Sequence, residues 1–305
     1  EDAVPLLRFA ARGRARAKGR PLAGAEARLR VYDPYFCSGR TRLLLEELGF
    51  PRTVNRPHDF YDDVANGTLP PYDVLLTNPP YSGDHKERLL DFVLERQRRA
   101  LKKGASEPFL LLLPSWAAGK AFYAKFARAL AELLGAAPAE GPGGCAGAAP
   151  TDPSQVFFVC RRGARGRPAK YEFDHLHGAG LPQCPFFGLW ICGGFGDAAS
   201  TARAARSVAR GSSEGYWEPD RTWYACRPTG TTTLLAPAAA PLRTGAAAVP
   251  CATAVGVDWL DGTVSALPPH QLRAGRLVFM SVAALEAVGL LRSEEDVRRR
   301  REANP

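Results

Sequence analysis

The stretch Asp73-Val74-Leu75-Leu76-Thr77-Asn78-Pro79-Pro80-Tyr81 decides the fold class of this 305-residue chain. Its apolar part, residues 72–77, has the length and composition of a strand that is buried on both faces. The two prolines after it fix φ and lack N–H donors, so the strand ends there. Strands of this kind are typical of parallel sheets, in which ligands bind at the carboxyl ends.

Short apolar segments alternate with amphipathic segments on both sides of this stretch. Strands are predicted at 30–32, 53–55, 72–77, 108–114, 155–160 and 186–192, and helices at 40–48, from 84 onward and at 116–134. The first helix is expected to bury Leu43, Leu44, Leu45 and Leu48, and Asp84 is expected to cap the second one. Residues 58–62 are expected to form a loop. This alternation predicts an α/β fold with a mostly parallel sheet flanked by helices.

Composition divides the chain into three parts. Residues 1–29 form a basic N-terminal arm, and both a nucleic-acid-binding arm and an organellar transit segment fit its composition. Residues 30–196 form the main domain, with a flexible Ala/Gly/Pro-rich insertion at 136–153. Residues 197–305 are a poorly defined extension in which only 277–291 is apolar enough to suggest a helix.

The motif Asn78-Pro79-Pro80-Tyr81 suits a planar group that carries an NH2. The prolines stiffen the loop and leave carbonyl acceptors, Asn78 adds an amide, and Tyr81 adds a flat ring. Here the sequence resembles the class I S-adenosylmethionine-dependent amino-methyltransferases, which carry (Asp/Asn)-Pro-Pro-(Tyr/Phe). The resemblance implies a Rossmann-like, mostly parallel seven-stranded sheet and S-adenosyl-L-methionine as cofactor. It also implies that Asn78 and the Pro79 carbonyl bind the target nitrogen while Tyr81 stacks on the base or amide.

A second segment, Asp33-Pro34-Tyr35-Phe36-Cys37-Ser38-Gly39, is similar to the cofactor loop of that family, Asp-Pro-x-x-Gly-x-Gly. By this resemblance Asp33 holds the methionine ammonium group and Gly39 is the last glycine of the loop. Cys37 replaces the first glycine. Asn55 stands where the family usually has an acid for the ribose hydroxyls. The resemblance thus assigns cofactor binding to Asp33, Pro34, Tyr35, Cys37, Gly39, Asn55, Asp59 and Phe60, the last two as readers of the cofactor's adenine.

The net charge of +9 and the pI near 9.4 favour a polyanionic partner. We expect nucleic acid, RNA rather than DNA, and the predicted contacts to its phosphates are Arg161, Arg162, Arg165, Arg167 and Lys170. The leading prediction is therefore methyl transfer to an exocyclic base nitrogen, adenine N6 above others. Two alternatives remain open. Methylation of a protein glutamine amide is one, because those enzymes share the motif. A catalytically dead RNA-binding or assembly module is the other, because Cys37 and Asn55 fit a cofactor site that has lost its function.

Cysteine usage points to reduced thiols in an intracellular protein, without indicating the compartment. The chain has seven cysteines and no CxxC pair. The group His175, His177, Cys184 and Cys192 lacks zinc-finger spacing, so no metal site is predicted. No apolar run reaches the roughly 20 residues that span a bilayer, so no membrane partner is expected.

Overall fold

The computed structural model describes residues 2–135, 155–161, 168–171, 186–210, 215–217, 223–226, 232–234, 276–279, 282–287 and 290–291. The predicted insertion at 136–153 and most of the predicted extension lie outside these ranges. The helices are α1 Val4–Ala17, α2 Ala25–Arg28, α3 Arg40–Glu47, α4 Phe60–Asn66, α5 His85–Lys102, α6 Ala121–Leu133, α7 Ala198–Arg210 and α8 Val282–Ala287, and a 3-10 helix spans Ser115–Gly119. The strands are β1 Val31–Tyr32, β2 Thr53–Val54, β3 Val74–Thr77, β4 Phe109–Pro114, β5 Phe157–Arg161, β6 Gly188–Gly193, β7 Gly215–Trp217, β8 Trp223–Cys226, β9 Thr232–Leu234 and β10 Arg276–Phe279.

The described residues build an α/β fold around a seven-stranded mixed sheet in the order β10-β5-β6-β4-β3-β1-β2. Strand β1 pairs in parallel with β2 and β3, and β3 pairs in parallel with β4. Strand β10 is antiparallel to β5, so the sheet is not purely parallel. A separate antiparallel sheet has the order β7-β8-β9. The six strands predicted between residues 30 and 192 are all present with slightly different ends.

The chain divides into two compact units. The first comprises residues 1–113 and 190–207, and its core includes the fully buried Val31, Val74 and Leu111. The second comprises residues 114–189 and 208–305. In that unit the ring of Tyr123 packs against those of Phe126 and Phe158, with 6.0 Å between centroids in each pair.

Residues 4–17, which the charge pattern assigns to a basic arm, form the regular helix α1 within the first unit. Leu6 and Leu7 are fully buried, and the ring of Phe9 meets that of Phe195 edge-on at 5.9 Å. Apolar residues recur at helical spacing between the arginines, at positions 4, 7, 11 and 15, and this stripe packs into the core. The basic residues occupy the remaining faces of the helix, so their charge does not prevent it from packing.

Several local expectations were wrong. Leu43 and Leu44 are 52% and 45% exposed, and only Leu45 of the predicted leucine face is buried. Asp84 precedes α5 but its side chain makes no capping hydrogen bond. The segment predicted as a loop around residue 60 contains the start of helix α4.

The apolar segment predicted as a helix at 277–291 is divided between a strand and a helix. Strand β10 covers Arg276–Phe279 and supplies the seventh strand of the sheet, and α8 comes after it. Helical spacing in a short apolar run does not distinguish a buried strand from a buried helix. Pairing with β5 decides the outcome for these four residues.

Candidate functional site

Three polar residues follow the carboxyl ends of adjacent strands in the first unit. Asp33 follows β1, Asn55 follows β2, and Asn78 follows β3. Because these strands are parallel and in register, the three residues lie at one edge of the sheet. The loops that the sequence motifs single out therefore meet at this edge.

Asp33 is a buried carboxylate held by hydrogen bonds. Its Oδ1 accepts from the hydroxyl of Thr77 at 2.6 Å and from the backbone N–H of Tyr35 at 3.3 Å. Burial raises the pKa of Asp33 to about 6, although its hydrogen bonds to Thr77 and Thr41 act in the opposite direction. A carboxylate in this situation gains from a nearby cation, because the cation offsets the cost of burying its charge.

The loop after Asp33 needs two left-handed backbone conformations. Gly39, which caps α3, has φ of +71°, and a Cβ at this position would lie 2.8 Å from the ring of Phe36. Cys37 has φ of +48°, a region that glycine adopts far more readily than other residues. The side chain of Cys37 is exposed, while Pro34 is buried and Tyr35 is half-buried. The backbone at Cys37 thus has a conformation that suits glycine, the residue predicted for this position by the loop that the sequence resembles.

Asn55 joins the ends of β1 and β2. Its Nδ2 donates to the carbonyls of Asp33 and Tyr35, both at 3.2 Å. Its Oδ1 is buried and has no hydrogen-bond partner among the described residues. Since a buried acceptor without a donor is costly, this oxygen is suited to a ligand hydroxyl or N–H.

Asp59 and Phe60 form the N-terminus of α4. The Asp59 carboxylate caps the helix, accepting from the N–H of Tyr61 at 2.7 Å and of Asp62 at 3.3 Å. Phe60 is buried and its ring meets that of Phe92 edge-on at 4.9 Å. Both side chains therefore serve local structure, and their roles toward a cofactor adenine stay predictions.

A chain of polar aromatic contacts beside the loop 33–39 was not foreseen from the sequence. The hydroxyls of Tyr35 and Tyr61 are 3.0 Å apart, and the Tyr61 hydroxyl lies 2.8 Å from Nδ1 of His85. The guanidinium of Arg88 lies over the Tyr61 ring, 3.4 Å from its centroid. The only sequence signal was that an aromatic or histidine residue follows each of three strands: Tyr35 after β1, Tyr61 after β2 and His85 after β3. Spacing along the chain does not show that these side chains meet.

The Asn78–Tyr81 motif forms a self-bonded loop. The Tyr81 hydroxyl donates to Oδ1 of Asn78 at 2.5 Å. Pro79 is buried, Pro80 is exposed, and Asn78 and Tyr81 are half-buried. Asn78 Oδ1 keeps a second lone pair, so it can accept a further hydrogen bond from an N–H or O–H donor.

Lys86 binds the end of this motif and was also missed by sequence reasoning. It is buried, and its Nζ donates to the carbonyls of Tyr81 at 2.6 Å and Gly83 at 3.3 Å. A lysine on the first turn of a helix is normally read as a solvated charge. Here it fastens the end of the motif to α5.

The predicted phosphate contacts are only partly described. Arg161 is exposed at the end of β5, and its carbonyl accepts from the N–H of Ala169 at 2.8 Å. The ammonium of Lys170 lies 5.9 Å from the centroid of the Phe187 ring. Arg162, Arg165 and Arg167 lie outside the described residues, as do His175, His177 and Cys184.

Neither a metal-binding cluster nor a membrane-spanning helix is found among the described residues. No group of three or more His, Cys, Asp or Glu side chains in them is arranged to hold a metal ion. No helix in the same ranges combines the length and apolar character needed to cross a membrane.

Comparison with known proteins adds no family to these observations. No protein-family model matches the chain, and no curated protein is significantly similar to it.

Proposed function

We propose that this chain is an S-adenosylmethionine-dependent methyltransferase with a Rossmann-like class I fold, acting on an exocyclic base nitrogen of nucleic acid, adenine N6 above others. The observation that carries the proposal is the hydrogen bond of 2.6 Å between Thr77 and Asp33. It joins the loop that resembles the cofactor loop to the strand that ends in Asn78-Pro79-Pro80-Tyr81. A methyl donor and its acceptor must meet in one place, and these two loops are adjacent.

The polar groups at this edge fit the cofactor. The buried Asp33 carboxylate suits the ammonium of the methionine end. The Oδ1 of Asn55, which has no hydrogen-bond partner within the described ranges, suits a ribose hydroxyl. When bound, S-adenosylmethionine would supply a methyl group activated by its sulfonium. The left-handed φ angles of Cys37 and Gly39 make this loop turn tightly, which is typical of loops whose backbone approaches a ligand.

Asn78 and its neighbours fit an amine acceptor. The free lone pair of Asn78 Oδ1 and the Pro79 carbonyl would accept hydrogen bonds from a target NH2, which orients it and stabilises its developing positive charge. Tyr81 would stack on the planar group while its hydroxyl keeps the Asn78 amide in place. Positioning is sufficient for this reaction, and no general base is assigned.

The choice of nucleic acid rests on charge. The chain has a net charge of +9, and phosphate backbones bind basic surfaces without sequence preference. A protein glutamine amide would use the same motif, and this excess of positive charge favours it less than nucleic acid.

The deciding experiment labels a cell extract with radioactive S-adenosylmethionine and the purified protein. We expect label that nuclease removes and protease leaves, with RNase more effective than DNase. Label removed only by protease would overturn the choice of nucleic acid and make the glutamine amide the leading substrate. Absence of both label and cofactor binding in calorimetry would contradict the enzyme proposal and support an RNA-binding or assembly module.

The role of Asn78 is tested by Asn78→Ala. We expect loss of methyl transfer by at least about a hundredfold, with cofactor affinity within a few-fold of wild type. Asn66→Ala, at an exposed position at the end of α4, is the matched control and should leave both unchanged. Equal loss of cofactor binding and transfer in the Asn78 variant would contradict the assignment.

A further inference from the structure

A basic cleft lies within the first unit at the amino ends of β1, β2 and β3. Its volume is about 190 Å³, well above the ~10–15 Å³ that one water needs. Its charged lining consists of six basic side chains and one carboxylate: Arg14, Lys18, Arg20, Arg28, Arg30, Arg52 and Asp73. Such a concentration of one sign of charge in a concave surface favours a bound anion.

The carboxylate is shared between two guanidiniums. Asp73 Oδ1 lies 2.7 Å from Arg14 and 2.8 Å from Arg30, and Asp73 Oδ2 also accepts from Arg30. One carboxylate cannot neutralise two arginines, so this group retains a positive charge. In addition, Nε of Arg14 is buried and has no hydrogen-bond partner among the described residues. This N–H of a cleft-lining arginine is therefore an unsatisfied hydrogen-bond donor within the described part of the chain.

The other four basic residues of the cleft add positive charge that no carboxylate in the described ranges neutralises. Arg28 donates to the carbonyl of Pro21 at 2.6 Å, which fixes its guanidinium without neutralising it. Within the described ranges, no carboxylate forms an ion pair with Lys18, Arg20, Arg28 or Arg52. Like charges held together in this way repel one another, and an anion would relieve that repulsion.

The cleft is separate from the candidate site described above. Arg30, Arg52 and Asp73 precede β1, β2 and β3, whereas Asp33, Asn55 and Asn78 follow the same strands. Because these strands are parallel, the two sets lie at opposite edges of the sheet.

We propose that this cleft binds a phosphate group. Guanidiniums match the geometry of phosphate oxygens in pairs, and the arginines outnumber lysine here by five to one. The phosphate belongs either to a nucleic-acid backbone or to a small phosphorylated compound, and both sources present the same oxygens to the same side chains. The proposal does not depend on methyl transfer.

The test uses the double variant Arg20→Gln/Arg52→Gln. Both residues are exposed, so the substitutions remove charge without removing core packing. The matched control is Arg98→Gln/Arg99→Gln, which removes the same charge from exposed residues of α5 that pair with Glu95. Two measurements are made on full-length protein: the melting temperature in sodium phosphate against sodium chloride of equal ionic strength, and the salt-dependent affinity for a short fluorescent RNA.

We expect phosphate to raise the melting temperature of wild type and control but not of the cleft variant. If the source is a nucleic-acid backbone, the cleft variant also binds RNA at least about fivefold more weakly than the control, and its salt slope falls by about 1 for each lost phosphate contact. A phosphate effect without an RNA effect supports a small phosphorylated ligand. Identical behaviour of the cleft variant and the control in both measurements would overturn the proposal.

Cofactor binding, measured by calorimetry on the same samples, separates this proposal from the proposed function. If phosphate binding depends on the cleft while cofactor binding is absent, the cleft stands and the methyltransferase proposal fails. If the cofactor binds and the cleft substitutions change neither the phosphate effect nor RNA affinity, the methyltransferase proposal stands and the cleft proposal fails.

Discussion

The hydroxyl of Thr77 donates a 2.6 Å hydrogen bond to Oδ1 of Asp33, although the two residues are 44 positions apart. Both are buried, Thr77 at the end of β3 and Asp33 just after β1. The bond ties the two segments that carry the sequence motifs, so the conformation of each one depends on the other. It also supports the ionised form of a carboxylate whose charge is costly to bury.

Replacing Thr77 by valine keeps the shape of the side chain and removes this donor. We expect Thr77→Val to lower the free energy of unfolding by about 1–3 kcal/mol, because Asp33 loses a hydrogen bond in a buried setting. The pKa of Asp33 should rise further, and cofactor affinity should fall at neutral pH. Denaturant titration and calorimetry measure these effects. Thr77→Ser, which retains the hydroxyl, is the control, and equal stability of the two variants would contradict the role of the bond.

Asp33 should make the free protein less stable as pH rises. Its folded-state pKa of about 6 lies above the usual 3.8, so the folded chain holds the proton more tightly. The free energy of unfolding therefore falls between about pH 4 and pH 6 and stays lower above that range. We expect Asp33→Asn to remove this pH dependence and to stabilise the free protein at pH 7.5 by about 1–3 kcal/mol. A variant less stable than wild type at pH 7.5 would refute this account.

Cofactor affinity should show the opposite pH dependence. If the ionised Asp33 holds the methionine ammonium, the affinity for S-adenosylmethionine should weaken by up to about tenfold per pH unit below about 6. Calorimetry across pH 5 to 8 measures the profile. Asp33→Asn should bind weakly at every pH, so a wild-type profile without a break near 6 would remove Asp33 from the cofactor site.

The left-handed backbone at Cys37 predicts an unusual order of stability among variants at this position. A β-branched residue is strained at φ of +48°, whereas glycine is not. We expect Cys37→Val to be less stable than Cys37→Gly by about 2 kcal/mol, although the cysteine side chain is exposed. Thermal unfolding of both variants, with Cys37→Ala to account for loss of the thiol, tests this. Equal stabilities would mean that this backbone conformation carries no strain.

The hydroxyl of Tyr81 should matter for the rate of transfer rather than for cofactor binding. It donates to Asn78 Oδ1 and so orients the amide that we propose for the target amine. We expect Tyr81→Phe to lower kcat about tenfold with unchanged affinity for S-adenosylmethionine. Tyr81→Ala should lose more, because base stacking contributes about 1–3 kcal/mol. Full kcat in Tyr81→Phe would show that the hydroxyl does not orient Asn78.

The sequence by itself determined the alternation of strands and helices and the position of the polar loops. The apolar run up to Thr77 is too short for a typical helix, and the two prolines shortly after it end the element, so a buried strand was predicted at Val74 to Thr77. Parallel pairing of such strands then requires that Asp33, Asn55 and Asn78 share one edge, whatever the details of packing. These features follow from local composition and from the order of the segments along the chain, because parallel strands place their carboxyl ends on the same side of the sheet.

Only the tertiary structure decided which side chains are paired and which charges are buried. Lys86 and Arg14 look like surface charges in the sequence, yet one fastens the Asn78–Tyr81 loop and the other shares Asp73 with Arg30. Likewise, Leu44 lies next to Leu45 in sequence, but only Leu45 contributes to the core. The pairing of Arg14 with Asp73 and the burial of Leu45 depend on contacts between residues far apart in the chain, which a pattern of residue types along one segment does not contain. The role of Lys86 depends on how the loop before α5 folds back, because its partners Tyr81 and Gly83 are only five and three residues away.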